Sequence, residues 1–339
     1  MYSKICLTAR PSVFMYKRTI PNTLYASQGK KLHFYTKILA CFTSLGYSTA
    51  MSMEKEKTAV IFEGGGMRGM YTAGATDAFM EAGFLPDAVY GVSAGACHAI
   101  SYLSSQQGRA RRVNIGYCTR SDYSGLLCLI REHSIFGWNL MFHRIPEQLD
   151  PVDYAAIFRN CNSSTTDRKF IICATAADTG SPVYLEPHTP EQVLLFSQAS
   201  SSLPFVCPPV TISGVQYFDG GISDSIPVQK ALDAGYTRLL IVLTQPAGYR
   251  KGPQKHAEII RHFYKKYPAV AEAIIRRPEM YNKELTLVEQ LEKEGKAAVM
   301  RPSAAVNVGR MTTNPVKLQK LYEAGRTDGS KVLIQLGNL

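Results

Sequence analysis

The sequence has 339 residues, 45% of them apolar and 19% charged, with 26 glycines and 18 prolines. That composition supplies a sizeable core and excludes a disordered chain, and no apolar run approaches the roughly 20 residues that span a bilayer. The formal charge of +11 divides into +7 over residues 1–50, which contain no Asp or Glu, and +4 over the rest, so the folded part gives little ground for nucleic-acid binding.

Residues 1–52 are basic, rich in Tyr and Ser, and without a clear period. Three readings compete for them. One is a targeting segment, with Lys30 and Lys31 ahead of an apolar stretch and Ser48-Thr49-Ala50 as a small-residue site. Another is a basic arm that touches anionic lipid. The favoured reading is an over-extended start, because the first strand begins directly after Met53-Glu54-Lys55-Glu56-Lys57. Residues 53–339 read as one domain, since no Gly/Ser linker divides them. Its motif-bearing part covers 57–245, and a mainly helical part covers 246–339.

Thr58 to Glu63 is a short β-branched run, read as a buried strand. Gly64 to Gly69 follows, then a helix over Met70–Ala82 capped by Gly83. Ala88 to Gly91 is a second strand, and Ala94 to Ser104 a second helix. Strand, helix, strand, helix implies a parallel sheet with right-handed crossovers. Residues 106–168 are expected to form helices and loops over the sheet. Phe170 to Ala176 is a strand, and Pro190 to Ser201 a helix with Thr189 as N-cap. Val210 to Phe218 reads as a hairpin turning at Ser213-Gly214, Pro227 to Ala234 as a helix, and Arg238 to Thr244 as a buried strand. Three helices are expected at His256–Lys266, Ala269–Arg276 and Glu279–Glu294. A short strand from Ala297 and a last helix near Val316–Ala324 close the chain.

Gly91-Val92-Ser93-Ala94-Gly95 is a G-x-S-x-G at a strand-to-helix junction. A chain reversal within one or two residues strains Ser93 and projects its hydroxyl, while side chains at 91 and 95 would collide with neighbouring backbone. The junction also aims the positive end of a helix dipole at the hydroxyl. Gly64-Gly65-Gly66-Met67-Arg68-Gly69 fits two patterns. As a dinucleotide loop it would need an acid at the end of the second strand, but that strand ends in the serine motif and Asp87 stands at the wrong end. As an oxyanion hole, its bare N–H groups approach a developing alkoxide, with Arg68 adding positive charge.

The nucleophile needs a proton acceptor. Among the histidines, His98 lies about one and a half turns beyond Ser93 and is expected to leave on another face. His133, His143, His188, His256 and His262 have no flanking motif. Asp219 instead ends an aromatic-rich strand ahead of Gly220 and Gly221. Burial beside an apolar substrate would raise its proton affinity and make a Ser–Asp dyad workable. The eight cysteines show no C-x-x-C pair or metal-ligand spacing and are expected to be structural thiols in a reducing, cytoplasmic setting.

Four blocks in order resemble the patatin-like phospholipase family, nearest its bacterial-type branch. They are the glycine loop Gly64–Gly69, the serine block Gly91–Gly95, Ala199-Ser200-Ser201-Ser202-Leu203-Pro204, and Asp219-Gly220-Gly221. The resemblance implies a three-layer α/β/α fold with a mostly parallel central sheet. It also implies hydrolysis of phospholipid or other acyl-lipid esters through an acyl-enzyme on Ser93, with Asp219 as partner and neither metal nor nucleotide. Three alternatives stay open: an acyltransferase with the same dyad, a dinucleotide-binding oxidoreductase, and a non-catalytic lipid-binding relative. Arg250, Lys251, Lys255, Arg261, Lys265, Lys266, Arg276 and Arg277 are expected to form either a solvated face or a peripheral dock for anionic membrane.

Overall fold

A computed structural model describes residues 56–303 and 308–337 of the chain. The three readings of residues 1–52 fall outside the described residues. The elements in chain order are β1 (Thr58–Phe62), α1 (Met70–Glu81), β2 (Ala88–Val92), α2 (Ala94–Leu103), α3 (Arg109–Tyr117), α4 (Leu126–Glu132) and α5 (Tyr154–Asn160). Then come β3 (Lys169–Ala176), β4 (Pro182–Leu185), α6 (Pro190–Ser200), β5 (Val210–Ile212), β6 (Val215–Asp219), α7 (Val228–Asp233) and β7 (Arg238–Val242). Last are α8 (Ala257–Phe263), α9 (Pro268–Lys293), β8 (Ala297–Met300) and α10 (Pro315–Leu336).

The strands form one sheet in the order β5-β6-β3-β2-β1-β7-β8, with β4 also paired to β3. From β3 to β8 the neighbours are parallel, while β4, β5 and β6 join antiparallel. The parallel strands are apolar on both faces because helices cover both. Val60, Phe62, Val89 and Leu240 point to one face, where they meet Tyr71 and Phe79 of α1, Leu103 of α2 and Leu321 of α10. The intervening residues Ala59, Ile61, Tyr90 and Leu239 point to the other, against Val228 of α7 and Tyr281, Leu285 and Val288 of α9. The alternation with period two is what makes three layers, α/β/α.

Register positions the site. β1 and β2 run parallel with Phe62 opposite Gly91, so the loop after β1 and the turn after β2 leave the same edge of the sheet side by side. Val92 pairs with Cys173 of β3, and the next residue of β3, Ala174, pairs with Asp219 of β6. One strand therefore separates Ser93 from Asp219, a span of about 10 Å between backbones that two side chains can close. Carboxyl ends of parallel strands are where open α/β sheets bind ligands.

Three expectations change. The helices expected at Ala269–Arg276 and Glu279–Glu294 are one continuous helix, α9, running through Pro278. The last helix, expected near Val316–Ala324, extends to Leu336 through Gly325 and Gly329. Strand β4 was not expected; it is short and only half-buried, so its apolar signal is weak.

Candidate active site

Ser93 has φ 54° and ψ −124°, in the left-handed half of backbone space where a residue with a Cβ is held only by its surroundings. Neighbouring groups hold it. Its N–H donates to Ser200 Oγ at 2.7 Å, and that hydroxyl donates in turn to Cys173 O at 2.6 Å. The glycines on either side of Ser93 are close-approach positions. A Cβ at Gly91 would lie 2.6 Å from Ala96 Cα, and one at Gly95 would press on the Phe62 carbonyl. Ser200, from the Ala199–Pro204 block, is thus a brace for the turn at Ser93, and Ala199 is buried behind it.

The same block reaches the other candidate. Ser202 O accepts from Asp219 N at 2.9 Å, and Thr175 Oγ1 donates to Asp219 O at 2.8 Å. Asp219 is 2% exposed. Its Oδ1 accepts from Gly221 N at 2.8 Å, and Gly220 packs against the Cys173 carbonyl with no room for a side chain. Oδ2 makes no hydrogen bond of full geometry among the described residues. The Ser93 hydroxyl nevertheless stands close enough to be the strongest influence favouring the ionised carboxylate. The two groups are adjacent but not tightly bonded, a common state of catalytic pairs before substrate arrives. Burial dominates the balance and holds the Asp219 carboxyl above the ordinary carboxylate range, against the opposing pull of Ser93, Arg277, the Gly221 amide and Arg310.

The glycine loop lies over this pair. A Cβ at Gly64 would stand 2.9 Å from Ser93 Cβ, and Gly66, at φ +57°, faces the Arg310 carbonyl. Met67 N donates to that carbonyl at 3.0 Å, and Arg68 N donates to Gly65 O at 3.3 Å. These bonds occupy the amides of Met67 and Arg68, whereas the amides of Gly64, Gly65 and Gly66 donate to no acceptor among the described residues. Arg68 is half-buried behind the loop, and Gly69 abuts the imidazole of His98. His98 lines the same cavity as Ser93 rather than a different face. Burial pushes its pKa down to about 4, so it is neutral and a weakened base.

A cavity of about 130 Å³ opens from Ser93 along Gly66 and Met67. Its wall is mostly apolar, with Ile100, Val113, Phe136, Phe142, Ile145 and Leu194, and includes the polar side chains of His98, Arg109 and Asn114. Several of these come from residues 106–168. The segment Leu140–Leu149 winds as a π-helix around Pro146 and contributes Phe142 and Ile145. Pro204 lies on the opposite side, in a chamber that includes Asp219, Leu203, Arg277 and Arg310. Among the described residues no group of three or more His, Cys, Asp or Glu converges to hold a metal ion.

The patatin-like phospholipase family model matches residues 60–232, slightly more than half of the chain. The chain belongs to the patatin-like phospholipase family. Residues 267–339 of this patatin-like chain match a second model, a domain of unknown function (DUF6363). It is 34% identical over 200 residues to the uncharacterized protein YjjU of Escherichia coli K12, covering 58% of this chain and 55% of that protein. It thus spans about half the length of that curated relative. The crystal structure of VipD from Legionella pneumophila is similar with a TM-score of 0.46 and 14% identity, over 83% of this chain and 67% of that one.

Sequence reasoning missed several residues at the site of this family member. Thr175, which holds the Asp219 backbone, sits in an unremarked position of a strand, and Ser202, though inside the Ala199–Pro204 block, carried no sign of that role. Arg277 and Arg310 reach the site from more than 50 residues beyond Asp219, with no local signature. Lys251 and Arg277, expected on a basic surface, turn inward; Arg250 and Arg261 of the same set are paired with Glu289 and with Glu258 and Glu272.

Proposed function

We propose that the chain is a serine lipid acyl hydrolase working through a Ser93–Asp219 dyad. The observation that carries this reading is the adjacency of a strained serine hydroxyl, a buried carboxylate with raised proton affinity, and glycine amides with free N–H groups. In the cycle, Asp219 accepts the proton as Ser93 Oγ attacks the ester carbonyl. The amides of Gly65 and Gly66, with that of Ala94 at the start of α2, hold the oxyanion. The acyl chain lies in the apolar cavity along Met67, Ile100 and Phe142, where burying each methylene contributes about 0.8 kcal/mol. The proton on Asp219 passes to the leaving alcohol. Water then repeats the attack on the acyl-enzyme and releases the fatty acid.

Hydrolysis of a chromogenic fatty-acyl ester tests the assignment. Ser93→Ala is expected to lose at least ~10³-fold in kcat with an unchanged melting temperature, and Asp219→Asn nearly as much. Full turnover by Ser93→Ala removes that residue from the mechanism. Full turnover by Asp219→Asn alone transfers the base role to another group at the cavity wall, with His98 the first candidate.

A further inference from the structure

Beyond Ser93, the apolar cavity holds one hydrogen-bonding side chain without a partner among the described residues. Cys97 meets the Ser201 hydroxyl, Arg109 donates to the Asp150 carbonyl and to Ser101, and Asn114 accepts from Tyr123. His98 lines the same wall, is 3% exposed, and makes no hydrogen bond to a described residue. Buried polar groups are normally satisfied, and an imidazole left bare against apolar surface loses its hydration without return.

Helix α2 sets where this imidazole lies. His98 follows Ser93 by five residues, an advance of about 7.5 Å along the axis. Side chains on a helix lean back toward its start, so the ring hangs over the first turn, one turn above Ala94. Its contacts agree: a Cβ on Gly69 would lie 2.6 Å from His98 Nε2 and 3.3 Å from the methyl of Ala94, the residue after the nucleophile. An acyl chain running from Ser93 along Met67 and Ile100 passes the ring within its first few carbons. The chemistry of the ring narrows what it can meet. Burial alone lowers its proton affinity, with no charged side chain contributing. The neutral ring has one N–H donor and one bare acceptor nitrogen, the complement of a hydroxyl and not of an anion.

We propose that His98 is the subsite for a hydroxyl carried on the acyl group near its ester end, which makes 3-hydroxyacyl esters the preferred substrates of this cavity. The proposal rests on the reading of Ser93 as the acyl acceptor, because that reading puts the acyl chain on this side. A plain chain presses methylenes against the imidazole and leaves it unsatisfied. A 3-hydroxyl accepts from the ring N–H or donates to its bare nitrogen, while the rest of the chain lies against Val113, Phe142 and Ile145. His98 makes and breaks no bond. Ser93 Oγ bonds to the acyl carbon, the acyl–oxygen bond breaks, the alcohol leaves with the proton from Asp219, and the acyl hydroxyl stays as it is. A site that hydrogen-bonds a substrate hydroxyl rejects the analogue lacking it far more strongly than an apolar pocket rejects an added one.

The test compares p-nitrophenyl esters of decanoic acid and of (R)- and (S)-3-hydroxydecanoic acid on the full chain. The wild type is expected to favour one hydroxy enantiomer over decanoate in kcat/KM by about tenfold or more. It should also separate the enantiomers, because a ring fixed on α2 reaches only one of them. A purely chemical effect of the hydroxyl on the ester would raise both alike. His98→Leu should bring both ratios toward one, and His98→Gln, which still hydrogen-bonds, should keep part of them. Equal treatment of the enantiomers by the wild type overturns the proposal, and so does a preference for plain decanoate. A preference that survives in a folded His98→Leu overturns it as well; if that variant melts early, the wild-type ratios and His98→Gln decide. Equilibrium binding to Ser93→Ala separates the subsite from the hydrolase reading. Tighter binding of one 3-hydroxydecanoic acid than of decanoic acid supports the subsite even if no ester is turned over. Equal binding of the acids, with normal ester turnover by the wild type, keeps the hydrolase and removes the subsite.

Discussion

At the scale of residues, the account turns on how Asp219 can serve as a base. A carboxylate in water takes a proton too weakly to activate an alcohol well. Here burial raises its proton affinity, and the Ser93 hydroxyl, Arg277, the Gly221 amide and Arg310 oppose the rise. The consequence for pH follows directly. Activity needs the ionised form, so kcat/KM should fall as pH drops through a midpoint above the ordinary aspartate value of 3.8. Removing a cation favours the protonated form, so Arg277→Gln should move that midpoint to higher pH. A pH–rate profile on a neutral ester measures both, and a midpoint at or below 3.8 in the wild type would falsify the buried-base mechanism. The backbone of Ser93 is part of the same economy. Its strained φ is maintained by Ser200, which bonds both to the nucleophile turn and to β3.

At the scale of elements, α1 and α10 touch backbone to backbone. Gly74 of α1 meets the Tyr322 carbonyl, and Gly325 of α10 meets the Tyr71 carbonyl, both too closely for any side chain. Tyr71 OH donates to Asp328 Oδ2 at 2.9 Å and Tyr322 OH to Asp77 Oδ2 at 2.5 Å, so each helix also clasps the other at its polar rim. Gly325→Val would wedge the pair apart. Overpacking of this kind costs about 1–3 kcal/mol, enough to lower the melting temperature by several degrees in calorimetry, and an unchanged transition would contradict the clasp.

The same glycines explain what was readable beforehand. Strands such as β1, β2 and β7 are continuous β-branched or aliphatic runs because both their faces are buried, and the turn at Ser93 carries its glycines for local steric reasons, so both were legible. Gly325 and Gly329 look like helix ends, but they are there for a neighbour 250 residues away, which no local pattern records. Pro278 misleads in the same way. It ends a helix by local rules, yet Tyr281, Leu285 and Val288 beyond it and Val270, Ala271 and Ile274 before it are all buried, and that packing carries α9 through the break. At the site, Asp219 was legible from its Gly-Gly turn, whereas Arg277 and Arg310 are defined by where α9 and the loop before α10 return in space.

At the scale of the whole molecule, the family match ends at residue 232 but the structural unit does not. β7 pairs with β1 in the middle of the sheet, β8 covers the other edge of β7, and α9 and α10 each bury one face. A chain cut after residue 245 would leave Ile61, Tyr90 and Ile241 without their α9 cover. It is expected to lack a cooperative thermal transition, and a sharp transition for that fragment would show that the C-terminal region is an accessory. The two ends of the fold also divide the labour at the site: the N-terminal half brings the hydroxyl and glycine amides, and the C-terminal third brings the cations.

The most direct test of the central claim is covalent labelling of the full chain with a fluorophosphonate, followed by mass mapping of the modified peptide. The account predicts one label on Ser93, absent from Ser93→Ala and slowed on the order of 10³-fold in Asp219→Asn, because the probe reports nucleophile activation without depending on any lipid. Label on another serine, or labelling of Asp219→Asn at the wild-type rate, would contradict it.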